Sequence, residues 1–470
     1  MNWEVVIGLE IHVELATKTK LFCSCRNLFG GEPNSRCCPV CFGFPGTLPV
    51  INEKAVEFAV TAGLALDCEI NLNNKFDRKN YFYPDLPKAY QISQLYLPFA
   101  QNGKVKINVG QEKIIRIHEI HIEEDAGKLN HSPFGGESYP DYNRCGVPLI
   151  EIVSEPDMRS AQEAVAYIGK IKSVLEYLGV SDCKMEQGSM RADVNLSVRK
   201  FGDEKFGTRT EMKNLNSLRS IERAIEAEAK RQIEEIESGN QVIQQTRRWD
   251  DNKGVSFPMR GKENAHDYRY FPEPDLPPIR LTEEYLNALK ASMPEFADVR
   301  KARYMNILPE KDAEIISSRR DFADLFDASV KITDNPKETA NFIIGALCSI
   351  LPEINGSAAE IRPESFSAII NLIISGKISR RDSISLLKEI AAQPSLDVAE
   401  TAQKFIIETD SDAVRAVLQK VIAENPKTVL EYKAGKTKVA SFFVGQAMKE
   451  LKGKAKPDEI LPIIVQLIGE

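Results

Sequence analysis

No stretch of the chain is apolar for long enough to cross a membrane, and neither a basic nor an apolar leader precedes the first patterned segment at residue 3. A membrane span is thereby excluded, and no signal peptide is expected. The Gly-x-x-x-x-Gly-Lys-Ser/Thr phosphate loop is missing, so any nucleotide has to be held by separate side chains on a sheet. Internal repeats and low-complexity tracts are missing as well, which excludes a solenoid. Positive charge is not in excess: the net charge is −7. Indiscriminate nucleic-acid binding through global charge is therefore excluded, and RNA contact has to come from a local basic patch. No thiol nucleophile stands beside a histidine. Cys145 and Cys183 lie in Arg-Cys-Gly and Asp-Cys-Lys contexts and read as buried, inert thiols. The cysteines number 9, odd and unevenly placed, which points to a reducing cytosol and a cytoplasmic protein.

What is present is patterned. A length of 470 residues suggests two to four domains, and 43% hydrophobic with 27% charged residues suits an ordinary globular core. Arg116 to Asp125 alternates as a strand. On a period of two, His121, Glu123 and Asp125 share one face, while His118, Ile120, Ile122 and Glu124 share the other. Three adjacent acids in a strand cost electrostatic energy unless a cation or basic groups offset it. They read either as a solvated edge or as a divalent-metal site, since hard cations take carboxylate oxygens. Trp3 to Leu15 alternates too. Val5, Ile7, Leu9, Ile11, Val13 and Leu15 form its apolar face, and Glu10 and His12 are neighbours on its polar face. Cys23-x-Cys25 and Cys38-Pro-Val-Cys41 form a four-thiolate zinc pattern, with Cys37 as an alternative ligand and the first pair one residue tighter than usual.

The remaining pattern predicts an α+β fold around a largely antiparallel sheet, followed by helical domains. Asn52 caps a predicted helix over 53–66, and Gly179 closes one over 161–178. Met190 to Val198 alternates, with Arg191, Asp193 and Asn195 on the polar side. A long helix spans about Ser217 to Ser238, ending at Gly239. The run Phe271 to Pro278 holds four prolines and continues neither helix nor central strand. It sets the first predicted boundary, and a second is expected near Pro394 to Asp410: a first domain over 1–280, a helical domain over 281–405 and a tail over 406–470. Helices are expected to begin near Pro309, Pro336 and Pro363.

Five strings give the chain a resemblance. They are Val6-Ile-Gly-Leu-Glu10-Ile-His12-Val-Glu14, Lys75 to Lys88, Glu123-Glu-Asp-Ala-Gly-Lys128, Pro148-Leu-Ile-Glu151 to Asp157, and Asp267-Tyr-Arg-Tyr-Phe-Pro-Glu-Pro-Asp275. Together they resemble the B subunit of the bacterial tRNA-dependent amidotransferase, and the likeness runs into the tail. The resemblance implies an ATP-dependent carbon–nitrogen ligase acting on Glu-tRNA(Gln), Asp-tRNA(Asn) or both. A first, cradle domain would activate the side-chain carboxyl with ATP and Mg²⁺. Ammonia would come from an amidase-type A subunit, and a small C subunit would complete a heterotrimer.

Carried onto this chain, the implied magnesium ligands are His12, Glu123 and Glu151, with Glu10 beside them. Lys88 and Glu124 match polar residues along an ammonia route; with Glu10 they are the catalytic candidates. For ATP the candidates are Arg191, Asp193, Asn195, Glu211 and Lys213, for which a solvated sheet face is the plain alternative. Some members of the family carry the four cysteines and some do not, so a zinc there reads as structural. The competing function is a non-catalytic, zinc-containing tRNA-binding scaffold, which has no reason to gather acids and histidine on two strands. The archaeal relative carries an inserted domain ahead of its helical region, and only a few residues follow Pro278 before the next predicted helix.

The tail has a helical apolar stripe, Val414, Val417, Leu418 and Val421, and a crowd of lysines: 433, 436, 438, 449, 452, 454 and 456. A solvated lysine-rich face explains such a run; the tail also resembles the family's tRNA-binding domain. Phosphate contacts position a nucleic acid, and each adds to the salt dependence of binding. On this hypothesis, deleting everything after about residue 408 weakens tRNA binding and flattens its salt dependence by on the order of several units of slope. ATP binding survives. A well-folded truncation with unchanged tRNA affinity and salt slope excludes the tail as the anchor.

Overall fold

The computed structural model describes residues 3–132, 135–259, 268–354, 356–406, 411–433, 436, 439–451 and 457–469. One compact unit ends at Phe296 and a second begins at Ala297.

The first unit is built on a sheet of 9 strands. In chain order they are β1 Trp3–Glu14, β2 Glu69–Ile70, β3 Ala100–Val109, β4 Gln111–Glu124, β5 Pro148–Ser154, β6 Met190–Lys200, β7 Thr210–Lys213, β8 Gln245–Asp250 and β9 Val255–Pro258. Their spatial order is β9-β8-β7-β6-β1-β5-β4-β3-β2. Every pairing is antiparallel except β7 with β8. The sheet is therefore largely antiparallel, and the fold is α+β, as the alternating patterns predict.

Helices α1 Glu53–Ala65, α2 Ala161–Leu178 and α3 Leu218–Glu237 cover the apolar face. Their ends follow local chemistry. The Asn52 side chain accepts the Lys54 N–H at 3.0 Å, and the Ser160 hydroxyl accepts the Glu163 N–H at 3.1 Å. Gly179 closes α2 at a left-handed φ of 69°. Ile7, Leu9, Ile11, Ile120, Ile122, Ile150, Ile152, Val194 and Leu196 pack with these helices in one continuous core. Burying so much of one face leaves alternate residues of the same strands pointing away from the helices. That second face carries the charged side chains.

The first unit extends past the proline-rich run because the helix Glu283–Ser292 joins its core. Thr282 caps that helix, accepting the Tyr285 N–H at 3.2 Å, and Leu286 is buried in the same cluster. In the second unit every described element is helical. Helices begin at Glu310 after Pro309, at Pro336 and at Pro363. Tyr304 to Ala402 share one cluster. Val414, Leu418 and Val421 form another with Phe443, Ala447, Ile460 and Ile464, and Val417 packs on its edge. Of the tail lysines, Lys438, Lys452, Lys454 and Lys456 lie outside the described residues, as does Asp267.

Candidate active site on the polar face of the sheet

Strand register builds a row of charge across four neighbouring strands. Arg191 on β6 is opposite His12 on β1, His12 is opposite Glu151 on β5, and Glu151 is opposite His121 on β4. Glu123 lies two residues further along β4 on the same face. His12 Nε2 is 3.6 Å from Glu151 Oε2 and 3.7 Å from Glu123 Oε1. Donor atoms about 2.1 Å from a hard cation lie roughly 3–4 Å from one another. The three residues thus have the donors and the spacing for a divalent ion, with one ligand atom from each within 4.8 Å of the others.

His121 backs this group, with Nε2 3.1 Å from Glu151 Oε2 and 3.9 Å from Glu123 Oε2. Burial opposes charge on His121, but Glu151 foremost, with Glu119 and Glu123, outweighs it and holds the imidazole well above its ordinary pKa. Burial likewise opposes charge on Glu151, yet His12 and then His121 hold that carboxyl well below the usual range. Lys79 is half-buried and lies in the field of the same acids. Desolvation lowers its pKa, and the fields of Glu123, Tyr270 and Glu151 more than restore it.

A second cluster lies alongside. Lys213 Nζ is 2.6 Å from Asp193 Oδ2 and 3.3 Å from Glu211 Oε1, and Asn195 Nδ2 donates to Glu10 Oε1 at 2.9 Å. Glu211 also accepts the Thr246 hydroxyl at 2.8 Å. Glu10, Asp193 and Glu211 can offer oxygens to a common point. Here the geometry departs from two sequence expectations. Glu10 groups with Asp193 and Glu211 rather than beside His12, because two residues along a strand are about 6.6 Å apart and its cross-strand neighbour is Asp193. Arg191 separates from Asp193, Asn195, Glu211 and Lys213: its guanidinium goes to buried Asp125, Nη2 to Oδ1 at 3.1 Å. A buried carboxylate requires such a partner. Arg144 is the other; burial pushes the Asp125 pKa up, and Arg191 and Arg144 together bring it below the ordinary value. A cavity of about 210 Å³ opens beside Glu10 and Asn195, between Gly8, Ser154 and Phe206.

Glu124 points the opposite way from Glu123. It forms an ion pair with Lys88 and accepts the Ile92 N–H at 3.0 Å. Beyond it stand the cysteines. Cys41 Sγ is 3.7 Å from Cys23 Sγ, 3.8 Å from Cys38 Sγ and 3.9 Å from Cys25 Sγ. Tetrahedral Zn–S bonds of about 2.3 Å put sulfurs roughly 3.8 Å apart. The thiols are thus spaced for zinc and too far apart for a disulfide. The Cys41 thiol is pushed down to about 4, first by its hydrogen bond with Cys23 and further by Lys20.

Comparison with known proteins decides the family. The GatB/GatE catalytic domain matches residues 5–287, and the GatB domain matches residues 324–468. The chain belongs to the family of tRNA-amidotransferase B subunits. The aspartyl/glutamyl-tRNA(Asn/Gln) amidotransferase B subunit of Lachnoclostridium phytofermentans is 53% identical over 100% of this chain and 99% of its own length. The same-named protein of Caldicellulosiruptor saccharolyticus is 52% identical over 99% of this chain and 98% of its own, and that of Brevibacillus brevis 47% identical over 100% and 99%. The catalytic-domain match takes in the strands of the charged face, β1 from Val5 onward.

Sequence reasoning did not put Lys79, Asp125, Arg144 or Lys20 among the site residues of this family member. Lys79 sits inside the Lys75 to Lys88 string, and Asp125 ends the acidic run, so both had a signal. Lys20 and Arg144 had none, because only the fold brings them near an anion. Glu14 shows what crowding costs: burial first, then neighbouring Asp125, raise its pKa from 4.5 to about 7. The folded state therefore holds a proton on Glu14 where the unfolded chain has lost it. The associated stability is present below pH 4.5 and is lost as pH rises to about 7. Glu14→Gln is expected to gain on the native protein over that window, by on the order of 1–3 kcal/mol. Urea midpoints at pH 5 and pH 8 check this; an equal difference between variant and native protein at both pH values counts against it.

Proposed function

We propose that the charged face activates and amidates the side-chain carboxyl of a glutamate or aspartate misacylated on tRNA(Gln) or tRNA(Asn). A carboxylate has no good leaving group, so amide formation needs prior activation. A carboxyl oxygen attacks the γ-phosphorus of ATP, and ADP leaves. Ammonia then attacks the acyl phosphate, and phosphate leaves. The observation that carries this reading is the His12, Glu123 and Glu151 group at cation-binding spacing, with a second carboxylate–lysine cluster on the same sheet face.

Magnesium bound between His12, Glu123 and Glu151 would neutralise charge on the transferring phosphoryl oxygens. His121 orients Glu151. Lys79 and Lys213 offset the negative charge that ATP brings, and Asp193, Asn195, Glu211 and Glu10 hold and orient Lys213 and the nucleotide. The 210 Å³ cavity beside Asn195 suits one part of a nucleotide rather than the whole, being smaller than the roughly 300–1,000 Å³ of a site that encloses a drug-sized ligand. Ammonia arrives from a glutamine-hydrolysing A subunit, with a small C subunit holding the two together, and the Lys88–Glu124 pair guides it. Structural zinc is held by Cys23, Cys25, Cys38 and Cys41.

Glu123→Ala is expected to lower ATP-dependent amidation of misacylated tRNA by about 100-fold or more, the scale of removing one electrostatic stabiliser of a transition state. Glutaminase activity of the partner and tRNA affinity change little. Near-normal amidation by this variant would exclude the metal assignment. Glu124→Gln separates the two acids. Glutamine-driven amidation is expected to fall by about 100-fold, while tRNA-stimulated ATP hydrolysis stays close to that of the native protein. Equal loss of both activities would return Glu124 to the phosphoryl-transfer site.

A further inference from the structure

We infer that metal binding at the four cysteines positions Lys88 against Glu124, with buried Lys20 as the link between the two sites. The inference rests on the proposed four-thiolate zinc site and gives it a role beyond local folding.

Three contacts carry it. The first is Lys20, which is 0% exposed. Its Nζ donates to Cys41 Sγ at 3.4 Å and to the Tyr142 carbonyl at 3.3 Å, and its own N–H bonds the Cys25 carbonyl at 2.9 Å. A buried ammonium is costly without an anion beside it, and the nearest sulfur is a member of the thiol cluster. The Lys20 stem and the Glu124 carboxylate flank one turn: a Cβ on Gly146 would lie 3.8 Å from Lys20 Cδ and 3.9 Å from Glu124 Oε2.

The second contact is Gly43, two residues after Cys41. A Cβ there would come within 2.8 Å of Lys88 Cγ and 3.1 Å of Lys88 Cα. The cysteine loop rests directly on Lys88, and only glycine permits the approach at a φ of +64°. The third is a cavity of about 20 Å³ with Cys23 and Cys41 on one side and Lys88 and Glu124 on the other. That is room for about one water-sized molecule. The thiol cluster is therefore a wall of the compartment in front of the ion pair. An ion held by the four sulfurs would fix the loop in place, and the loop sets where Lys88 stands.

The test uses the full-length chain purified in its complex. Zinc is measured by elemental analysis before and after stripping with a chelator. Lys88 accessibility is read as its acetylation rate by limiting acetic anhydride, with exposed Lys205 as the internal control. Stripping is expected to raise Lys88 acetylation several-fold and leave Lys205 unchanged. Lys20→Met is expected to release zinc about 10- to 100-fold more readily, the usual cost of losing a partner of a metal ligand. Should that variant fail to fold, Gly43→Ala leaves the thiols and Lys20 in place; it is expected to retain zinc yet expose Lys88. Zinc present, with Lys88 acetylation unchanged by both stripping and Gly43→Ala, would overturn the inference while sparing the four-thiolate site. Absence of zinc from protein purified without chelators would overturn both.

Discussion

Antiparallel pairing of β1 with β5, and of β5 with β4, is the constraint on which the charged face depends. It sets His12, Glu151 and His121 opposite one another, and the backbone positions from which these side chains project are fixed by the ladder. Cross-strand neighbours on one face stand about 4.5–5.5 Å apart, a separation from which imidazole and carboxylate ends converge. The helices on the other face supply the rigidity. Ile7, Leu9, Ile11, Ile120, Ile122, Ile150 and Ile152 alternate with the charged residues on the same strands, so burying one set aims the other.

Concentrating acids on one face is expensive, and the fold offsets it with one or two cations at each cluster. His121 and Lys79 face Glu123 and Glu151. Lys213 faces Asp193 and Glu211. Arg191 and Arg144 face Asp125, and Lys88 faces Glu124. This balance explains why Arg191 leaves the nucleotide candidates: it pairs with one oxygen of buried Asp125 while Arg144 takes the other, so both carboxylate oxygens have a cation in low dielectric. Glu14 is the acid the balance serves least, which is why its proton is retained to near neutrality.

The face therefore divides into regions with different chemistry. One has a metal-like donor set of two carboxylates and an imidazole. A second mixes acids, an amide and a lysine beside a cavity. At the strand end, the Lys88–Glu124 pair turns away from both and toward the thiol loop. A sheet is well suited to this division, because successive side chains point to opposite sides and one-residue steps change the environment entirely. Glu123 and Glu124 are adjacent in sequence and belong to different sites for that reason alone.

Much of the architecture is local and was legible as sequence. Alternation marked β1, the acid-rich end of β4, and β6, and it separated Glu123 from Glu124. Asn52, Ser217 and Gly179 marked helix ends, and cysteine spacing marked a four-sulfur group. Each of these is decided within a few residues, by side-chain period, capping or turn geometry. Which strands lie side by side is not local. The order β6-β1-β5-β4 joins residues near positions 191, 12, 151 and 121, and nothing in any one segment encodes its neighbour. So Glu10 went to Asp193 rather than to His12, Arg191 went to Asp125, and Lys20 and Gly43 met Cys41 and Lys88. By itself the sequence determined which residues share a strand face; only the tertiary structure decided which faces meet, because strand pairing is selected by the packing of the whole core.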